Sequence, residues 1–403
     1  MRAVLPLILL IAALPWLGFF AHAQAVSAPA SATAKEGTPP TKANLPQAPV
    51  EEPDDPDAQI PAVKLDFKPE KVAVPGSHGS SAFVSPIVCS PAGTPLVSFI
   101  EPSDFGPQTI YSLDPKGGHA FSVKSVPDLF DIGFIHGYFA SDSLVGLLVN
   151  ATKDDTKASN TISMGPGMPP RYVYPGEHLD YLVEFDSSGN YKATVELPKA
   201  YSFRRLAALP DDTLLALAYD HATSAPRLLR LDSDGQVKGS LQIPEKMMSS
   251  PELVAGESGD PINQLGAEGS LSWWIFAPTR QRVLLYQAHS KSPVLEVGAG
   301  GAVREVPIQS PKGYVLDGVI SANDRWIMRF RKENLSDSVQ IDPGPEAKNY
   351  VLYEVDSGDG SLRRRIDLAT GPFYSIACEE DGVFTAFSVD GEKVNLQTAD
   401  LPR

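Results

Sequence analysis

The stretch LAALPDDTLLALAYDHATSAPRLLRLDSDG, residues 206–235, decides the fold. Leu206-Ala207-Ala208 is a short apolar run, Asp211-Asp212 a polar turn, and Leu214 to Tyr219 a strongly apolar run. Leu228-Leu229-Arg230-Leu231-Asp232 follows and leads to Gly235. Asp accepts hydrogen bonds from nearby backbone amides and Gly tolerates positive φ, so Asp followed three residues later by Gly suits a tight hairpin. Short apolar runs separated by such turns read as antiparallel strands.

The pattern recurs. Ile87-Val88-Cys89 runs through Gly93 into Leu96 to Ile100. Val319-Ile320 runs through Asn323-Asp324 into Trp326 to Phe330, and Ile376-Ala377-Cys378 through Asp381-Gly382 into Val383 to Phe387. Weaker copies span Phe134 to Val149 and Leu265 to Phe276. The hairpin mark recurs at Asp114 with Gly117, Asp186 with Gly189, and Asp356 with Gly360, one residue later. That makes six copies, near residues 85, 132, 204, 262, 316 and 374, with four strands each. No long stretch carries helical periodicity, so the chain reads as all-β.

On these residues the chain resembles six-bladed β-propellers of the NHL-repeat and TolB-like kind, over about residues 63–403. The resemblance implies a ring of four-stranded blades. The fourth copy is the poorest, with His289-Ser290-Lys291-Ser292 where its Asp-x-x-Gly turn is expected and a further turn at Gly298 to Gly301. The sixth copy lacks a last strand, and Val63 to Val74 has no other partner, so it is expected as the outer strand of the last blade, closing the ring. Cys89 and Cys378 then share a register on the inner strands of neighbouring blades. They are either a ring-locking disulfide or two buried thiols.

Residues 1–25 read as a signal peptide: Arg2, an apolar run from Val4 to Phe20, then Ala21-His22-Ala23 and Ala23-Gln24-Ala25 as cleavage sites. Residues 26–62, rich in Pro, Ala and acids, read as a linker too poor in apolar residues to fold. The expected protein is secreted or periplasmic and monomeric, with no membrane segment after cleavage. A formal charge of −15 argues against nucleic acid and anionic lipid as partners.

In a propeller the b–c and d–a connections, strands being lettered outward from the axis, share one face. The insertions at 151–179, 245–261 and 331–349 all belong to those classes. Long loops on one face of a scaffold suggest a binding surface. The first carries Arg171, Tyr172, Tyr174 and His178, residue types suited to an interface. At the starts of the inner strands Arg205, Asn263, Asp317 and Tyr374 are expected around the channel mouth. The expected ligand is a protein, peptide or glycan.

No nucleophile elbow, nucleotide loop or metal-ligand spacing is present, so no catalytic residue, metal site or cofactor is assigned. Asp232-Ser233-Asp234-Gly235 imitates the start of a calcium loop, but Ile243 stands where the twelfth-position Glu is needed. The alternative is a propeller hydrolase resembling metal-dependent lactonases. Calcium would then sit at the mouth, with Asn263 and Asp317 as ligands.

Overall fold

The computed structural model describes residues 60–71, 82–100, 108–114, 117–133, 135–155, 160–162, 171–173, 176–244, 247, 274–323, 325–333, 349–368, 376–390 and 393–401. Internal contacts group residues 59–403 into one compact unit. The chain enters through two short strands, β1 (Ala62–Leu65) and β2 (Lys68–Lys71). Blade I is β3 (Ala82–Cys89), β4 (Pro95–Ile100), β5 (Thr109–Ser112) and β6 (Ala120–Ser122). Blade II is β7 (Ile135–Ala140), β8 (Leu144–Ala151), β11 (Leu179–Asp186) and β12 (Tyr191–Glu196). Its b–c connection carries a separate hairpin, β9 (Asn160–Ile162) with β10 (Arg171–Val173).

Blade III is β13 (Tyr201–Ala208), β14 (Leu214–Asp220), β15 (Ala225–Leu231) and β16 (Val237–Leu241). Blade IV is β17 (Trp274–Pro278), β18 (Arg282–Gln287), β19 (Val294–Gly298) and β20 (Val303–Val306). Blade V is β21 (Tyr314–Ala322), β22 (Trp326–Lys332), β23 (Tyr350–Val355) and β24 (Leu362–Leu368). Blade VI is β25 (Ile376–Glu380), β26 (Val383–Asp390) and β27 (Lys393–Asp400). The chain is therefore an all-β, six-bladed β-propeller.

The decisive stretch shows why blades stack. Leu214 to Ala218 on β14 are all buried. Leu215 and Leu217 pack with Trp274, Phe276 and Leu285 of blade IV. Leu214, Ala216 and Ala218 pack with Phe139, Leu148 and Leu182 of blade II. Side chains alternate across a strand, so a blade covered on both faces needs a continuous apolar run. Each such Leu contributes roughly 1.5–3 kcal/mol of burial. Six such clusters occupy the six seams between blades, and the ring is complete.

Closure differs in detail from the sequence expectation. The outer strand of blade VI is β2, antiparallel to β27 with Lys68 opposite Thr398. Residues 62–65 instead add a fifth strand to blade V, parallel to β24, with Ala62 opposite Arg365. Leu65 explains the split: it is fully buried with Ile320, Ile366 and Phe384 at the V/VI seam. At the VI/I seam Cys89 and Cys378 form a disulfide with Cα atoms 5.8 Å apart, inside the usual span of about 4.4–6.8 Å.

Blade IV is also corrected. Its c–d turn is Gly298 to Ala302, closed by the Gly298 amide donating to the Ala302 carbonyl at 2.9 Å. His289 to Pro293 is its b–c connection. Its inner strand begins at Trp274, so Phe276 lies on strand a. The described part of its d–a connection ends at Pro244 and Met247, and Asn263, expected at the start of the inner strand, lies outside the described residues.

The two faces differ. The described strands that bound residues 152–178, 242–273 and 333–349 make these b–c, d–a and b–c connections, which leave and re-enter the ring on one face. The a–b turns at 90–94, 141–143, 209–213, 279–281, 323–325 and 381–382 are all short and lie opposite. Inner strands β3 and β17, from opposite blades, come within 8 Å Cα to Cα, which leaves no wide tunnel there.

Candidate functional site at the insertion-bearing mouth

Arg329 interrupts the buried run of β22. Gly318 lies opposite it in register, and a Cβ on Gly318 would stand 3.4 Å from a guanidinium nitrogen. The missing side chain makes room for the guanidinium. The neighbouring Asp317 sits at the register shift between Leu316 and Gly318. Arg329 Nε donates to Asp317 Oδ2 at 2.5 Å, and His289 Nε2 lies 3.1 Å from Oδ1.

The Asp317 side chain is only 9% exposed. Burial alone would raise its carboxyl. The Arg329 charge and the His289 contact override burial and hold it well below the ordinary carboxylate range. Asp317 in turn raises the Arg329 guanidinium against the opposing effect of burial. The Tyr350 ring lies 5.8 Å from that guanidinium, within cation–π reach.

This cluster bridges two blades. His289 follows β18 of blade IV in the left-handed region, φ 60°. Its amide donates to the Leu316 carbonyl at 2.6 Å, and the Leu316 amide to Ser290 at 3.3 Å. Lys291 Nζ reaches Glu333 at 2.7 Å on the exposed rim. Beneath them Tyr286 is buried and its phenol is pushed up to about 12, chiefly by burial. Asp317, Arg329 and Arg205 all act on it electrostatically. Arg205 donates from Nη1 to the carbonyls of His136 in blade II and Arg204, at 3.3 and 3.1 Å. The Arg205, Tyr286, Asp317 and Arg329 side chains therefore form a polar layer across blades III to V, tied to blade II through the His136 carbonyl.

A second cluster lies on this face of blade II and reaches blade III through one bond. Asp180 accepts from Asn150 Nδ2 at 3.0 Å and from the Phe203 amide at 2.7 Å. His178 Nε2 meets Asp131 Oδ2 at 2.9 Å, and its Nδ1 lies 3.2 Å from the Gly176 carbonyl. Gly176 cannot carry a side chain there, because a Cβ would come within 2.3 Å of Thr152 Oγ1.

At the other end of the axis, turns from three blades converge. Arg280 of blade IV pairs with Glu380 of blade VI at 2.9 Å and approaches Asp142 of blade II at 4.0 Å. Burial, opposed by Arg280, leaves the Glu380 carboxyl raised. The mouth on the insertion-bearing face is accordingly the axial entrance without this crossing.

Of the residues picked from sequence, Arg205, Asp317 and His178 are each engaged with protein groups. Arg171 and Tyr172 lie on β10, opposite Ile162 and Thr161 of β9. Tyr174, Asn263 and Tyr374 lie outside the described residues. Arg329, His289, Tyr286 and Asp131 were missed. A charge inside the apolar run Trp326 to Phe330 was the available signal for Arg329. Among the described residues no three His, Cys, Asp or Glu side chains are grouped to hold a metal ion. No helix among them is long and apolar enough to cross a membrane.

No protein-family model and no curated protein matches the chain. Solved structures do. A GH74 xyloglucanase from Xanthomonas campestris is 14% identical, with 83% of this chain and 46% of that one covered and a TM-score of 0.42. The subtype N11 neuraminidase-like protein of A/flat-faced bat/Peru/033/2010 is 10% identical, with 84% and 95% covered and a TM-score of 0.38. The Hadza microbial sialidase Hz136 is 10% identical, with 78% and 65% covered and a TM-score of 0.36. The chain thus spans less than half the length of the xyloglucanase. At these values none of the three bears on what this chain does.

Proposed function

We propose that this chain is an exported, non-enzymatic binding or scaffold propeller that engages a protein, peptide or glycan through its insertion-bearing face. One observation carries the reading: the long connections between the described strands start and end on one face, while the a–b turns opposite are short. A compact ring holds such loops in fixed relative positions, which suits recognition. The Cys89–Cys378 bridge favours an oxidising compartment, in keeping with the signal-like residues 1–25. Its state is monomeric, with all six seams filled from within the chain.

The metal-dependent hydrolase alternative fares worse at Asp317. Both its carboxylate oxygens are engaged by Arg329 and His289, so a calcium ion would have to displace one of them. The test is an array of glycans and synthetic peptides probed with the full chain and with a variant whose 160–173 hairpin is replaced by a short Gly-Ser link. The reading expects a defined set of ligands for the full chain and its loss in the variant. No ligand, or the same set bound by both proteins, would sink it.

A further inference from the structure

A cavity of about 590 Å³ opens on the opposite face, at the seam of blades V and VI. Its volume falls within the roughly 300–1,000 Å³ typical of small-molecule sites. Asn323 and Arg325 line it from the a–b turn of blade V. Glu379, Asp381 and Gly382 line it from the end of β25 and the following turn, and Asp400 from the end of β27. The frame is fixed: the Gly382 amide donates to Glu379 Oε1 at 2.7 Å, and the Leu401 amide to the Gly382 carbonyl at 2.6 Å.

The lining is unusual for this protein. Elsewhere arginines near carboxylates pair with them, as in Arg364 with Glu354 and Arg282 with Glu296. Around this cavity, among the described residues, Arg325 makes no ion pair within 4.0 Å of Glu379, Asp381 or Asp400. Glu379 is only 6% exposed, with its Oε1 held by the Gly382 amide. Opposite charges held apart across a cavity are arranged for a molecule carrying both signs.

We propose that this cavity binds a free basic amino acid. Its α-carboxylate would meet Arg325 and the Asn323 amide. Its two amino groups would meet Glu379, Asp381 and Asp400. Three carboxylates against one guanidinium favour a ligand of net positive charge. A metal ion fits less well, since Arg325 shares the cavity and no metal-holding group is found among the described residues.

The test is calorimetric titration of the full chain with L-lysine, with cadaverine, which lacks the carboxylate, and with L-norleucine, which lacks the second amine. Saturable lysine binding is expected, with each analogue at least about 10-fold weaker, the scale of one lost charge-assisted bond. Arg325→Gln should abolish the preference for lysine over cadaverine, and Asp400→Asn should weaken lysine by about 10-fold. No saturable heat with lysine would overturn the proposal, as would equal affinity for norleucine or unchanged affinities in both variants. The analogue series needs no variant, so it stands even if one misfolds. Removal of the 160–173 hairpin on the other face should leave lysine binding intact, which separates this site from the proposed ligand face.

Discussion

The IV/V and V/VI seams use the same residue types to opposite ends. At the IV/V seam Asp317, Arg329 and His289 meet within 3.1 Å of one another's polar atoms and join two blades. At the V/VI seam Arg325, Glu379, Asp381 and Asp400 surround a cavity without an ion pair among them. The first arrangement satisfies its charges internally and acts as structure. The second leaves them for something that is not protein. Net charge or residue counts could not separate these cases; only the pairing does.

The largest expected effect belongs to a third seam, closed covalently. The disulfide spans 289 residues of sequence, so Cys89→Ala with Cys378→Ala should cost roughly 3–5 kcal/mol and lower the melting temperature by about 10 °C. A shift below 2 °C would mean that the apolar seam cluster and β2 already close the ring. Acidification comes next. The Asp317 carboxyl is lowered in the folded state, so its contribution is fully present above the unfolded value. It is lost as pH falls below about 4, at up to about 1.4 kcal/mol per pH unit. Urea melts between pH 6 and pH 3 should show that slope, and Asp317→Asn should flatten it.

Smaller effects sharpen the contrast between the seams. Arg325→Met should change stability by no more than about 0.5 kcal/mol, because no protein partner loses a charge. A loss of several kcal/mol would place Arg325 in the framework and undo the comparison. Lys291→Ala removes an exposed pair with Glu333, the Lys291 side chain being 48% exposed. It should cost no more than about 0.5 kcal/mol in a chemical melt.

The blades were legible in the sequence because each repeats one pattern: an apolar run buried on both faces, bounded by Asp and Gly turns. Asp232 shows this well, its Oδ1 accepting from the amides of Asp234 and Gln236 at 3.1 and 2.8 Å. Blade IV misled because its c–d turn is built from glycines, Gly300 and Gly301 having φ of 71° and 79°, with no leading Asp. The split between β1 and β2 was not legible, since both belong to one short run of alternating apolar and charged residues, and the burial of Leu65 at the V/VI seam shows only in the folded ring. Asp317 was found from its place at the start of an inner strand. Its partners were not, because Arg329 lies a hairpin away and His289 a blade away, and proximity across a seam leaves no mark in local sequence. The V/VI cavity was missed for the same reason: Asn323 and Asp400 line one cavity only once blades V and VI pack together.

The most direct test of the central claim, that the mouth charges are structural, is a double-mutant cycle on Asp317 and Arg329 read by urea melts at pH 7. Arg329→Met alone leaves a carboxylate buried without its main partner and should cost roughly 3–5 kcal/mol. Combined with Asp317→Leu, most of that loss should be regained, with a coupling of at least about 2 kcal/mol. Additive losses, or a cost for Arg329→Met below about 1 kcal/mol, would contradict the account and return these residues to the candidates for ligand chemistry.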